Sequence, residues 1–563
     1  MFSFSTCKII SFGKPGFFIN PLAVLLRVFK TVRTCTREKL APSYNDPRAG
    51  SHLRLYQFLS DQSKISYMNI QLKKNFLTIG LITMWGHCLF AQYRTEKDLL
   101  GDKQIPSEAY YGVQTARALE NFQVSGVPTK FYPDYVRAYA MVKLAAARAN
   151  ADVGRMSKEK LAAIEKACQA VIDGKYHEHF LVDMYQGGAG TSANMNANEV
   201  LANIALELSG KKKGDYHSIE PHDDLNMGQS TNDVYPTAIH VALLLHNDKV
   251  VAEAKALAAA FHKKGDEFGN ILKMGRTEGQ DAVPMTVGQE FHGFGNQLDA
   301  AIEALVKTEA YLYEENMGAT AIGTGITASP GYAEKCAVHL AEITKKPMVL
   351  SRDLIAATSS MQGFVMYSSA LKNFAITLSK ISSDLIFLAT GPRAGVFEIN
   401  LPALQPGSSI MPGKVNPVMP ELMNEVCFKA IGNDVTVSIA SQDGLLQLNA
   451  YEPVVAVAIM ESQGLFFKTM PLFRKQCIDG ITVNEKVVAN YINRSVGIVT
   501  ALNPVLGYDK TTELAKEALQ SGKGILELIR EKKLLTEQQI KELLDPVKLT
   551  SPTGPTNVKG IDD

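Results

Sequence analysis

From Leu371 onward the apolar residues fall at Leu371, Phe374, Leu378, Ile381, Leu385 and Leu388, in alternating steps of three and four. Only an α-helix turns residues so spaced to one side, and a seam of this period belongs to long helices packed side by side at shallow angles. Other runs without internal proline read the same way: Val241 to Phe268, Gln297 to Asn316 and Val454 to Phe467. Several are apolar on more than one face, which calls for burial in a bundle or at a subunit interface. No series of alternating strands interrupts them. Near the end, Thr536 and Gln539 form a capping box ahead of a short helix stopped by Pro546, consistent with a small helical C-terminal domain.

The chain is long enough to bury such a bundle. Its 563 residues, 46% apolar and 20% charged, allow roughly three or four domains, excluding a small disulfide-stapled scaffold and a disordered chain. The net charge of +1 hides an asymmetry: residues 1–91 carry 12 Lys/Arg against 3 Asp/Glu, and the remainder 46 against 54. The body is mildly acidic and has no clustered cations, so a nucleic acid is not among the expected partners. The seven cysteines, at 7, 35, 88, 168, 336, 427 and 477, have neither CxxC nor Cys/His ligand spacing. The four in the body read as small core hydrophobes.

Lys73 and Lys74 precede an uncharged apolar run, Phe76 to Ala91, which at 16 residues is short for a membrane span and suits the hydrophobic region of a signal peptide. A signal peptide starting at Met68, cleaved near Ala91 and Gln92, predicts export to the periplasm. Residues 1–67 are then an upstream extension. Three other readings stay open: a cytoplasmic protein, a retained membrane anchor, and an organellar presequence, since residues 1–37 hold six basic and no acidic residues.

Three polar segments break the helical pattern: Gly187 to Glu199 (GGAGTSANMNANE), Gly228 to Thr237 (GQSTNDVYPT) and Gln405 to Glu421 (QPGSSIMPGKVNPVMPE). Each precedes or enters a helix. Ser230, Thr231, Asn232 and Asp233 are helix-capping types, and the free amides of a helix start favour an anion. The third segment fails as a phosphate-binding P-loop, having five residues between Gly407 and Gly413 where four are required, and Val415 after Lys414 where Ser or Thr should follow. What remains is a glycine- and proline-punctuated loop presenting Ser408, Ser409, Lys414 and Asn416, suited to a mobile lid over an anionic substrate. There is no GxSxG elbow. The clusters His177-Glu178-His179 and His222-Asp223-Asp224 lack metal-ligand spacing and read as solvated loops.

The stretch GSSIMPGKVNP is the signature of the aspartase/fumarase superfamily, which the chain resembles from about Tyr93 to its C-terminal domain. Asp98 to Thr115, Met274 to Phe291 and Leu446 to Val454 look like its aspartase branch. Fumarases usually read WGAQT, GRTH and a lysine where this chain has Glu452. The resemblance implies a mainly α, three-domain fold with a long central helical bundle: an N-terminal domain at 92–230, the bundle at 231–483 and a small helical domain at 484–563. It further implies a homotetramer whose active sites draw on three subunits, no organic cofactor, and, in some members, activation by a divalent ion such as magnesium. The expected reaction is reversible removal of ammonia from L-aspartate to give fumarate. Two alternatives stay open: another succinyl-compound lyase such as fumarate hydratase, and a non-catalytic binding protein on the same fold.

The Cβ proton of such a substrate is too weakly acidic to leave unless the adjacent carboxylate takes up a second negative charge, so an oxyanion site is the main catalytic demand. By resemblance, Thr191, Ser230, Thr231 and Ser409 surround that carboxylate, and Ser408 is the base, its pKa lowered by amides and positive charge when the lid closes. Lys414, Asn416 and Thr277 match the clamp for the α-carboxylate, while Asn232 and Thr191 lie near the amino group. Gln186, Asn194 and Asn196 receive no role beyond support. Glu278 stands where relatives have His or Gln, and its charge would favour a substrate ammonium over a neutral hydroxyl.

Overall fold

The computed structural model describes residues 92–552; the apolar leader run, together with Cys7, Cys35 and Cys88, lies outside them. An antiparallel hairpin, Tyr93–Asp98 (β1) and Gly101–Pro106 (β2), leads into Val113–Asn121 (α1), Pro133–Asp152 (α2), Lys158–Ile172 (α3) and Thr191–Leu208 (α4). Then come Thr231–Glu267 (α5), the hairpin Leu272–Thr277 (β3) and Gln280–Thr286 (β4), and Val287–Thr308 (α6). Tyr332–Thr344 (α7), Gln362–Leu388 (α8), Val418–Gln442 (α9) and Glu452–Gln476 (α10) complete the body.

Five of these helices close a ring: α6 packs on α5, α5 on α10, α10 on α9, α9 on α8, and α8 back on α6. The heptad seam lies inside it, with Leu371, Phe374, Leu378, Ile381, Leu385 and Leu388 each no more than 4% exposed. A polar link sets the relative height of three helices. Tyr367 Oη donates to Asn247 Oδ1 (2.6 Å), while Gln463 Nε2 donates to Tyr367 Oη (2.6 Å) and to Leu243 O (2.9 Å). Sliding any one of them would orphan buried donors. Cys168, Cys336, Cys427 and Cys477 are buried in this core as small hydrophobes.

Two helices depart from the sequence pattern. α5 starts ten residues before Val241 and runs for 37 residues, about 55 Å at 1.5 Å per residue, straight through Pro236. Proline lacks the N–H that would bond Asn232 O, and Asn316 Nδ2 donates to that carbonyl instead (3.1 Å). α6 stops at Thr308 rather than Asn316. Glu309 there turns inward to accept from Asn247 Nδ2 (2.7 Å), and Glu314–Glu315 pairs in parallel with Val349–Leu350.

Beyond residue 483 the chain builds a second core from Ile492, Ile498, Leu502, Leu514, Ile529, Ile540 and neighbours, joined by Met274 of β3. The Thr536/Gln539 capping box is formed, and Pro546 begins a further short helix as well as ending the capped one. No helix among the described residues is long and apolar enough to cross a membrane.

Candidate active site

The first two polar segments meet at adjoining helix starts. Thr191 opens α4 behind Gly190, and Ser230 caps α5, its Oγ accepting from Asn232 N (3.2 Å) while Asp233 Oδ1 accepts from Ser230 N (3.0 Å). The cap uses a lone pair of the serine hydroxyl and leaves its proton available to donate. Thr231 follows as the first helical residue, and Asn194 Nδ2, one turn into α4, donates to its Oγ1 (3.2 Å). Thr191 is set differently: its Oγ1 donates to Gly188 O (2.8 Å), leaving lone pairs as its free capacity. Asn232 is drawn toward the loop before α7 by donation from its Nδ2 to Ala321 O (2.8 Å).

Gly190 makes this approach possible. Its φ is +88°, and a Cβ there would lie 2.0 Å from the Tyr235 ring of α5. Gly190→Ala is expected to lower stability by about 2–4 kcal/mol through left-handed strain and overpacking, and to displace Thr191. A melting temperature equal to wild type would contradict this.

Beneath the helix starts lies a group the sequence reading missed. Lys143, a single cation in the apolar run of α2, is 1% exposed. Its Nζ donates to Asn226 Oδ1 (3.0 Å) and Gln229 Oε1 (2.9 Å), in the loop leading to Ser230. Burial pushes its pKa down, against the opposing charge of Asp233. Burial likewise raises Asp233, although that carboxylate accepts from the amides of Ser230, Thr320 and Gly318. The sequence signal was there, as one lysine on an otherwise apolar helix face. Glu199, at the end of the first segment, accepts from the amides of Gly112, Gln114 and Thr115 and so caps α1; burial raises it to about 7. Nor is the other acidic cluster simply solvated: Asp224 is buried and paired with Lys160 at 2.7 Å.

Thr277 and Glu278 sit at the tip of the β3–β4 hairpin. Thr277 pairs with Gln280, and the two residues between, Glu278 (φ +54°) and Gly279 (φ +76°), are both left-handed. That is a two-residue primed turn, where Asn, Asp or Gly would be the unstrained choice at the first position. Glu278 is exposed, and no ion pair or hydrogen bond among the described residues engages its carboxylate. The hairpin base is anchored by a buried ion cluster, Lys273 with Glu290 and Glu398 (both 2.8 Å) and Arg276 with Glu398 (2.6 Å).

Seven residues beyond Glu398 begins the third segment. The loop is tied at its neck by Gly407 N donating to Lys414 O (2.7 Å) and Asn416 Nδ2 to Gly407 O (3.2 Å). Gly407 has to be glycine here, since a Cβ would meet Lys414 O at 2.7 Å. Ser408 is half-buried, and its Oγ accepts from Ile410 N (3.2 Å), a contact that favours the alkoxide. Ser409 and Lys414 are exposed, as are the apolar Ile410, Met411 and Val415. Within one chain, no hydrogen bond or ion pair among the described residues links this loop or the hairpin tip to the Thr191 and Ser230 helix starts. Among the described residues, no group of three or more His, Cys, Asp or Glu is arranged to hold a metal ion.

Residues 101–432 match the lyase family, and residues 498–551 match the C-terminus of fumarase C. The chain belongs to the aspartase/fumarase superfamily of lyases. An aspartate ammonia-lyase of Pseudomonas canavaninivorans is 53% identical over 82% of this chain and 98% of its own length, and one of Helicobacter pylori strain J99 is 47% identical with the same coverage. Among solved structures, the fumarate lyase:delta crystallin of Brucella melitensis bound to cobalt superposes with a TM-score of 0.79 at 48% identity, over 82% of this chain and all of that one. The class II fumarase of Schistosoma mansoni does so at 0.75 and 34%, with the same coverage. These similarities run through both cores, so the hairpin tip, the helix starts and the Ser408 loop of this lyase lie inside one shared framework.

Proposed function

We propose that this lyase removes ammonia from L-aspartate to give fumarate, as the names of its relatives indicate for them. The observation that carries the reading is a pair of helix starts welded into one donor array, in a chain that also presents a serine and a lysine on a necked, glycine-punctuated loop. Ser408 takes the Cβ proton of the substrate. The electron pair it leaves behind is held first on the β-carboxylate as an aci-carboxylate dianion, stabilised by Thr231 and Ser230, by the start of α5 and by the Ser409 region. It then forms the Cα–Cβ double bond as the Cα–N bond breaks and ammonia departs with its pair. Lys414, Asn416 and Thr277 hold the α-carboxylate. Thr191, its proton committed to Gly188 O, offers lone pairs to the substrate ammonium beside Asn232. None of these steps calls for an organic cofactor.

The site is shared between chains on this reading. Ile376 and Phe387 of α8 and Phe428, Val435 and Ile439 of α9 are each between 45% and 61% exposed. The α9 set is spaced by seven and four, the mark of a helix face awaiting another helix. A homotetramer built through this face lets one chain's lid and another's hairpin tip meet a third chain's helix starts. The leader is read as an export signal on its sequence pattern alone.

The test is fumarate formation, followed as ultraviolet absorbance, with aspartate and malate offered separately to purified protein. Aspartate alone should react. Reaction with malate alone would make the protein a hydratase, and reaction with neither would favour a binding protein. Glu278 adds a finer test. Held at a strained hairpin tip with no partner for its carboxylate among the described residues, it is poised to pair with the substrate ammonium, whereas malate would leave that carboxylate unpaired. Glu278→Gln should cost aspartate about 1–3 kcal/mol of transition-state binding. An unchanged kcat/KM for aspartate across several pH values would remove Glu278 from this role.

A further inference from the structure

A hydroxyl can stabilise a dianion only as a donor, so the direction of its hydrogen bonds matters as much as its position. For Thr231 that direction is set from inside the protein. As an ammonium Lys143 Nζ has three protons and no lone pair, so whatever faces it then accepts. Asn226 therefore presents Oδ1 to it (3.0 Å) and turns Nδ2 to Gln229 O (3.2 Å), an acceptor that favours the same orientation. Gln229 is locked in the same way: its Oε1 faces the lysine and its Nε2 faces the carbonyls of Leu225 and Met227. With Asn226 Oδ1 pointing at α4, Asn194 and Asn198 must each offer Nδ2 (3.1 and 3.2 Å). The same Nδ2 of Asn194 then donates to Thr231 Oγ1 (3.2 Å). Having accepted there, and with no acceptor for its own proton among the described residues, Thr231 turns that proton to the open side of the helix start.

We propose that Lys143, acting through Asn226 and Asn194, is a positioning residue that fixes Thr231 as a hydrogen-bond donor toward the developing aci-carboxylate. This deepens the lyase reading and rests on it. Lys143 lies beneath the site and touches no substrate; it sets the polarity of a chain of amides that ends in one. Without it Asn226 is held in this orientation by Gln229 O alone, so the order of the amides through Asn194 is less firmly set and Thr231 gains the option of donating inward. The ground-state carboxylate, which other donors also hold, should notice little. The dianion should notice much, because its second charge is what the outward proton serves.

The test compares two inhibitors on Lys143→Met and wild type: succinate, which reports ground-state carboxylate binding, and a 3-nitro analogue of aspartate ionised to its nitronate, which mimics the aci-carboxylate. Succinate affinity should stay within about 3-fold, while nitronate affinity and kcat should both fall by 30-fold or more. In a Thr231→Val background the same Lys143 substitution should cost less than 3-fold more. Equal losses for both inhibitors, a nitronate affinity within 3-fold of wild type, or the full loss again in the Thr231→Val background would each overturn the proposal. Should Lys143→Met not fold, Asn194→Leu, which removes the last link at nearly constant volume, decides by the same criteria. Wild type that makes no fumarate from aspartate would defeat the lyase reading itself, which is a separate outcome from wild-type activity with unselective variants.

Discussion

Ser408→Ala lowers the turnover of aspartate by about 10²–10⁴-fold and leaves the fold and assembly as they were, the range being that for removal of a positioned general base. The residue stands just inside the neck of its loop, half-buried, with its Oγ held by a single backbone amide and no core packing to lose. A serine is a weak base at neutral pH, and one amide is too little to change that. The exposed Ile410, Met411 and Val415 supply the rest of the argument: closing the loop would bury them and bring Lys414 toward the negative charge, both of which favour the alkoxide. Retention of more than about a tenth of wild-type turnover, with an unchanged sedimentation profile, would reject Ser408 as the base.

The second large effect concerns a residue outside the three site segments, on the helix that leaves the third of them. Val435→Glu, in the middle of the exposed α9 stripe, should split the proposed tetramer into smaller species and reduce activity by more than 100-fold. Burying an unpaired carboxylate at a helix interface costs several kcal/mol, and symmetry repeats that cost in every subunit. On the proposed shared-site reading activity goes with the assembly, because within one chain no hydrogen bond or ion pair among the described residues joins the Ser408 loop or the hairpin tip to the helix starts. Sedimentation velocity and the fumarate assay check both halves together. A dissociated variant with full activity would show that each chain completes its own site.

The internal lysine illustrates how far sequence reading reaches. A lone cation on an apolar helix face is visible in the run around Lys143, but its consequence is not, because it depends on which side-chain atoms of Asn226, Gln229 and Asn194 come to face one another. Residues 32 to 86 positions apart are brought to about 3 Å by the packing of α2, α4 and the loop leading into α5. Glu278 is a similar case. Its charge and its departure from relatives were legible, whereas the left-handed backbone that holds it at a hairpin tip follows from the two-residue connection between β3 and β4.

What the sequence determined alone was whatever repeats or punctuates locally. The three-and-four seam of Leu371 to Leu388 dictated a buried helix, the Thr536/Gln539 box dictated a helix start, and the glycine-punctuated GSSIMPGKVNP run dictated the loop with Ser408 and Lys414. Such features depend on residues within a turn or two of each other, so periodicity and capping chemistry suffice to read them. Tertiary structure alone decided that α5 runs through Pro236, because the amide that replaces the missing donor comes from Asn316, eighty residues later. It alone decided that α6 ends at Thr308, because Glu309 finds a buried partner in Asn247. And it alone decided the direction of the hydrogen bonds behind Thr231. In each case a buried polar group must be satisfied, and the partner that satisfies it is chosen by packing in space, not by order along the chain.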